Sequence, residues 1–193
     1  ELDPVTLHNQ ALLHSQDDPT GAFKKLSYLL ANPPYPPETF GNLLLLHCKY
    51  QHYDIVAGLL AENSHLTFKY LSQEIFDYLD ACIMVPTSIE EAYRKFDDLS
   101  AKYIDKLRKL TKQIQDARLA RDNEVIKSSL KNYDEELERY IPVLMAQARI
   151  YWERENYPMV EKLFFQSAEF CSEHDVWKLN VAHVFFMQEN KFN

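Results

Sequence analysis

Two short stretches bring together side chains that can hold a metal ion or a proton. His47, Cys48 and His52 lie close together, and Cys171 and His174 stand one helical turn apart. Imidazole nitrogen and thiolate sulfur are good zinc ligands, but a structural zinc site takes four of them. Neither stretch has a second pair at a matching distance, and both fall where a helix needs packing or a polar end, so no metal is expected. His183 stands alone on its helix and reads as a satisfied histidine of a core or groove rather than a base. No Gly-rich phosphate loop, HExxH, CxxC or GxSxG occurs, so the patterns that announce nucleotide, metallohydrolase, redox or serine-nucleophile chemistry are missing. The residues predict no enzyme and no cofactor.

Composition narrows the partners and the elements. A formal charge of −8 and a pI of about 5.4 argue against a nucleic-acid surface or an anionic membrane. The longest apolar runs, such as Leu43 to Leu46, fall far short of the roughly 20 residues of a membrane span. The opening ELDP does not read as a signal peptide. Three cysteines, Cys48, Cys82 and Cys171, are odd in number and far apart, which fits reduced core residues in the cytosol. With 46% apolar and 13% aromatic residues the chain can bury a substantial core. Gly21, Gly41 and Gly58 are the only glycines, too few for the tight turns of an all-β fold. Helices are expected throughout.

Those helices repeat. DDPTGAFKKL at Asp17, YDIVAGLL at Tyr53, SIEEAYRKF at Ser88 and NYPMVEKLF at Asn156 share one grammar. Each has a helix starter, then a small or branched apolar residue, then a bulky one four positions on: Ala22 with Leu26, Val56 with Leu60, Ala92 with Phe96, Val160 with Phe164. Pro19 to Tyr53 is 34 residues, Tyr53 to Ile89 is 36, Ile89 to Tyr157 is 68 and Tyr157 to Phe192 is 35, the tetratricopeptide period taken once or twice. Before each corner lies a second helical run: Leu43, Leu44 and His47; Leu79 and Ile83; Ala148 and Tyr151. Each unit is thus a helix A, a turn and a helix B. Asp18 before Pro19, Asp54, Ser88 with Glu91 as a capping box, and Pro158 mark helix starts. The cluster NPPYPP at Asn32 then reads as a joint, with Pro34 past one helix end and Pro36 and Pro37 before the next helix.

The middle departs from this rhythm. No Gly or Pro occurs from Ser88 to Ile141, and Phe96, Leu99, Tyr103, Leu107, Leu110, Ile114 and Ala117 alternate by three and four. So do Ile126, Leu130, Tyr133, Leu137, Tyr140 and Leu144, which predicts two long helices meeting at Arg121 to Glu124. Lys102 to Arg121 is basic on an acidic chain. A reversal near Asp122 brings Lys106, Lys109 and Lys112 opposite Asp134, Glu135, Glu136 and Glu138. The three lysines read either as a solvated, charge-matched face or as a partner-docking surface. The expected architecture is an all-α, right-handed tetratricopeptide solenoid fragment. Its parts are repeats over 1–87, a long antiparallel hairpin over 88–140, and repeats over 141–193. The last of these lacks its helix B, so the sequence reads as part of a longer protein.

In such a stack, helix A lines the concave face. The slots that point into it are Leu45, Cys48, Met84, Met145, Arg149, Trp152, Trp177, Asn180, Val184 and Met187. Most are apolar, and a large apolar patch marks a contact, made with a bound polypeptide or with other repeats of the same superhelix. A chaperone-type adaptor for acidic C-terminal tails is the alternative. It needs a row of cations along helix A, where only Lys49 and Arg149 are so placed.

The strings TGAFKKLSYLL, PPETFGNLLLLHCKY, LAENSHLTFKYL, YIPVLMAQARIYWERENYPMVEKLF and HDVWKLNVAHVFFMQENKF resemble the tetratricopeptide repeat protein 30 family, the seventy-kilodalton subunit of the intraflagellar transport B complex. The resemblance runs from about Thr20 to Asn193 and carries fewer exact strings between Met84 and Arg139. It implies a non-enzymatic subunit of a ciliary cargo train, found in cilium or flagellum and cytoplasm. Its partners would be other intraflagellar transport B subunits, above all an extended, partly proline-rich segment of intraflagellar transport protein 52. It also implies a link to glutamylation of axonemal tubulin.

Overall fold

A computed structural model describes residues 3–189, with side chains as far as Val184. Ten helices and no strand run through the described residues, and the chain divides after Ser88 into two compact units. The first holds α1 (Pro4–Leu13), α2 (Pro19–Ala31), α3 (Thr39–Lys49), α4 (Tyr53–Glu62), α5 (Ser64–Tyr70) and α6 (Gln73–Met84). The second holds α7 (Ile89–Ala120), α8 (Asn123–Glu153), α9 (Tyr157–Cys171) and α10 (Asp175–Glu189). The fold is the expected all-α succession of tetratricopeptide-type helical pairs.

Each repeated corner begins a B helix, since α2, α4, α7 and α9 start at Pro19, Tyr53, Ile89 and Tyr157. The i, i+4 pairs face the core: Ala22 with Leu26, Ala92 with Phe96 and Val160 with Phe164 are buried, and Val56 is buried beside a half-buried Leu60. Burial of each larger side chain stabilises its unit by about 1.5–3 kcal/mol. Asp18 caps α2, accepting from the Gly21 N–H at 2.8 Å. A Cβ on Gly21 would lie 2.0 Å from that carboxylate, which is why glycine suits the position. α4 starts without a side-chain cap, with His52 at its N-cap and Asp54 in its first turn. Pro158 lies in the first turn of α9, as read from the sequence. The proline cluster joins α2 to α3. The corner expected at Phe192 lies outside the described residues.

In the first unit α1 packs on α2, α2 on α3, α3 on α4 and α4 on α5, while α6 packs on α3 and α4. One core cluster there is Ala11, Ala22, Leu26, Leu43 and Leu46, with Phe23, Leu30, Tyr50 and Leu59 against it. The sequence reading has no counterpart for α5. This single seven-residue helix buries Leu66 and Thr67 while Phe68 is exposed.

In the second unit, 68 residues between corners are filled by two helices of 32 and 31 residues rather than four ordinary ones. α7 is therefore about 48 Å long. α8 runs without a break past 140–141, where the sequence reading parts hairpin from repeats, and continues through exposed Pro142. A proline there forfeits one backbone hydrogen bond, which packing against α7 and α9 outweighs. The seam on α7 is as expected, with Phe96, Leu99, Tyr103, Leu107, Ile114 and Ala117 buried and Leu110 half-buried. On α8 the register differs near the tip: Leu130 is 39% exposed and Ser129 is 1% exposed. A small residue at the crossing lets two backbones approach closely, and it sits at the seam in place of its larger apolar neighbour. Nearer the repeats, polar groups enter the seam, where Gln147 donates to Asp97 at 3.2 Å and is itself buried.

Candidate functional site

The end of α8 presents Met145, Ala148, Arg149 and Trp152 at i, i+3, i+4 and i+7, one stripe of a helix. α10 presents Asn180, His183 and Val184 in the same manner, and α9 contributes Val160 and Phe164 between them. Together these nine residues line a cavity of about 420 Å³. Five slots predicted for the groove, Met145, Arg149, Trp152, Asn180 and Val184, meet here. The walls are apolar because Ala148, Val160, Phe164 and Val184 form one core cluster, with Met145 and Trp152 packed against it. Trp152 is half-buried, edge-on to Tyr157 at 5.1 Å, with His183 at 6.2 Å. At the rim Arg149 pairs with Glu153 at 3.1 Å, and Asn180 donates its amide to the Val176 carbonyl at 2.8 Å. The arrangement offers one concave apolar slot edged by a cation, a carboxylate and an amide. That suits an extended polypeptide placing side chains into the slot and its backbone along the rim.

Trp177 is not brought to this cavity. Its indole N–H donates to Ser167 Oγ at 2.8 Å, and its ring packs edge-on to Phe164 at 6.2 Å. It lines a smaller space of about 160 Å³ with Phe165, Ala168 and Val181. Three residues along a helix is 300°, so Trp177 and Asn180 stand about 60° apart on α10, enough to turn one toward α9 and the other into the groove. The Met187 slot falls where side chains lie outside the described residues. In the first unit Leu45 on α3 and Met84 on α6 are half-buried and Cys48 is buried.

The hairpin lysines separate in role. Lys106 reaches across to Glu136 at 3.5 Å, as the reversal predicts, but Lys109 pairs with Asp105 on its own helix at 2.6 Å. Lys112 lines an open hollow at the tip with Lys109, Gln113, Asp116 and Asp122. Arg108, which the sequence reading leaves aside, ties α7 to α9 through Glu169 at 3.1 Å. The exposed pair Lys109–Asp105 contributes about 0–1 kcal/mol.

The residues first weighed for metal chemistry go to other partners. Cys48 faces Cys82 of α6, and that hydrogen bond together with burial pushes its thiol far above the ordinary range. Burial alone pushes the Cys171 thiol up to about 12, so neither sulfur is a nucleophile at neutral pH. His174 contacts Glu138 at 3.1 Å, and among the described residues no three His, Cys, Asp or Glu side chains are grouped to hold a metal. No described helix is long and apolar enough to cross a membrane.

Comparison with known proteins places this chain in a family. Residues 39–193 match the intraflagellar transport protein 70 C-terminal domain. Over 192 residues the chain is 62% identical to mouse intraflagellar transport protein 70A1, 61% to human 70A and 60% to zebrafish 70A. These alignments cover 100% of the chain and 29% of the mouse and human proteins and 30% of the zebrafish one, so the chain spans about three tenths of their length. With the family domain matched over most of its residues and identity holding along its whole length, the chain belongs to the intraflagellar transport protein 70 family.

Proposed function

We propose that this chain is a protein-binding, non-enzymatic part of an intraflagellar transport subunit, acting in the cilium or flagellum and the cytoplasm. In this reading the groove between α8 and α10 holds an extended segment of another subunit of the transport B complex. The resemblance points to a partly proline-rich segment of intraflagellar transport protein 52, and through the carried cargo to axonemal tubulin glutamylation. The observation that carries the reading is the convergence of Met145, Arg149, Trp152, Asn180 and Val184 on one cavity of about 420 Å³. Aromatic and sulfur-bearing walls suit prolines and other apolar side chains. Loss of Trp152 removes the largest wall, so Trp152→Ala should weaken co-purification of the partner by about 30-fold, the mark of a hot spot of about 2 kcal/mol. Trp177→Phe should leave capture within about threefold. Near-unchanged capture by Trp152→Ala, with helicity intact by circular dichroism, would contradict the reading.

Lys106, Lys109 and Lys112 carry a second proposal, that the hairpin docks a partner. Lys112 and the tip hollow favour it, since Lys106 already has a carboxylate across the seam and Lys109 one on its own helix. The adaptor for acidic tails finds less support, because Arg149, the one Lys or Arg among the described residues that line the groove, faces Glu153.

A further inference from the structure

We infer that His47 and His52 form a proton-limited pair, in which the corner between α3 and α4 accepts one added proton and rejects a second. His47 lies in the last turn of α3 and is 8% exposed, and His52 is the N-cap residue of α4. Their Nδ1 atoms are 3.2 Å apart. The His52 backbone N–H donates to the His47 carbonyl at 2.9 Å, which fixes the two residues relative to each other. Phe23 of α2 stacks on His47 at 4.2 Å and flanks His52 at 5.6 Å, while Tyr50 lies 6.3 Å from His52 and 5.9 Å from Phe23. The four rings form one cluster at the corner.

A bond between two ring nitrogens needs one N–H and one lone pair. A first added proton goes to the far nitrogen of the donor ring and leaves the bond in place. A second has to land on the accepting Nδ1, which sets N–H against N–H between two cations in a half-buried site. The groups that bear on the pair relieve this only in part. Phe23 and Tyr50 carry no charge, Lys49 is exposed, and on α6 Cys82 and Tyr78 face Cys48, with both Cys48 and Tyr78 held neutral by strongly raised pKa values. Asp54, in the first turn of α4, favours the charged form of His47 and offsets the effect only in part. Burial first, and then the field of His52, hold the His47 pKa below its ordinary value.

The sign follows from linkage. In the unfolded chain both imidazoles take up protons around pH 6.5, and the folded corner binds one fewer. Stability from this pair is full above that pH. As pH falls below it, the folding equilibrium constant drops by up to about tenfold per unit, until the folded midpoint is reached. The test is imidazole NMR on the full chain between pH 8 and 5, with thermal melts of the same protein and of His52→Asn. An asparagine amide can donate to or accept from His47 Nδ1, so it removes the conflict and keeps an N-cap residue. The expected result is one ring of the pair titrating and the other staying neutral while the chain is folded, with a shallower loss of melting temperature on acidification in His52→Asn. Two ordinary, independent titrations near pH 6.5 in the folded protein would overturn the inference. So would an unchanged slope in the variant, and should His52→Asn fail to fold, the wild-type spectra alone decide.

Discussion

Trp152 and Trp177 carry the same side chain and end in different surroundings, and the difference lies in what each polar edge meets. The Trp177 N–H is taken by Ser167 at 2.8 Å, which turns that ring toward α9 and makes it framework. Trp152 lies edge-on to Tyr157 and shows one side to the groove. A rule that assigns fixed slots of helix A, three and four apart, to the groove finds both residues and cannot separate them, since Ser167 stands elsewhere in the chain. The histidines show the same limit. His47 and His52 stand out by type and spacing, but their contact at 3.2 Å depends on a backbone turn that spacing does not reveal. Gln147 is a third case, a polar residue fully inside the α7–α8 seam. Gln147→Ala should cost about 2–4 kcal/mol in urea unfolding, mostly as a cavity, because exposed Asp97 regains water when its partner is gone. Gln147→Met should stay within about 1.5 kcal/mol of wild type. Equal losses in the two variants would mean that the amide bond matters more than the volume.

At the scale of elements, three turns are built alike and without glycine. Gln51, Arg121 and Glu155 have φ of 59°, 56° and 54°. The residue after each closes a six-residue loop: His52 N–H to His47 O at 2.9 Å, Asp122 to Ala117 at 3.0 Å and Asn156 to Tyr151 at 2.9 Å. This is the helix-ending turn that normally recruits glycine, because a side chain in the left-handed region meets its own backbone. Arg121 carries the least risk of other effects, being exposed at the hairpin tip, so Arg121→Gly should stabilise the chain by up to about 1 kcal/mol. A loss of stability on chemical unfolding would show that the arginine side chain holds the tip. The places of these turns were legible in the sequence, but not their left-handed residues, since Gln, Arg and Glu carry no such signal. The long helices were legible, because apolar residues at alternate threes and fours persist from Phe96 to Ala117. Leu130 misled, because hydrophobicity marks a seam without telling which of two adjacent residues is small enough for the crossing. α5 has too few residues to display a period at all.

For the molecule as a whole, composition and rhythm were enough for the class of fold. Scarce glycine, a recurring Ala or Val followed four positions on by Leu or Phe, and a spacing near 34 describe helical pairs that lean on their neighbours. Half of the candidate groove was legible too, because residues at i, i+3, i+4 and i+7 of α8 must share a face wherever the helix goes. The rest depended on how α10 is rotated against α9, which is a matter of packing. The acidic balance of −8 fits the proposed protein-binding role better than a nucleic-acid surface. The most direct measurement of what fills the groove is site-specific photocrosslinking in the assembled transport complex, with a benzoylphenylalanine placed in turn at Met145, Asn180 and Phe165. Adducts from positions 145 and 180 to one extended segment of a single partner subunit, with none to it from position 165, are the predicted result. Groove positions that yield no adduct, or that crosslink only within this protein's own chain, would contradict it.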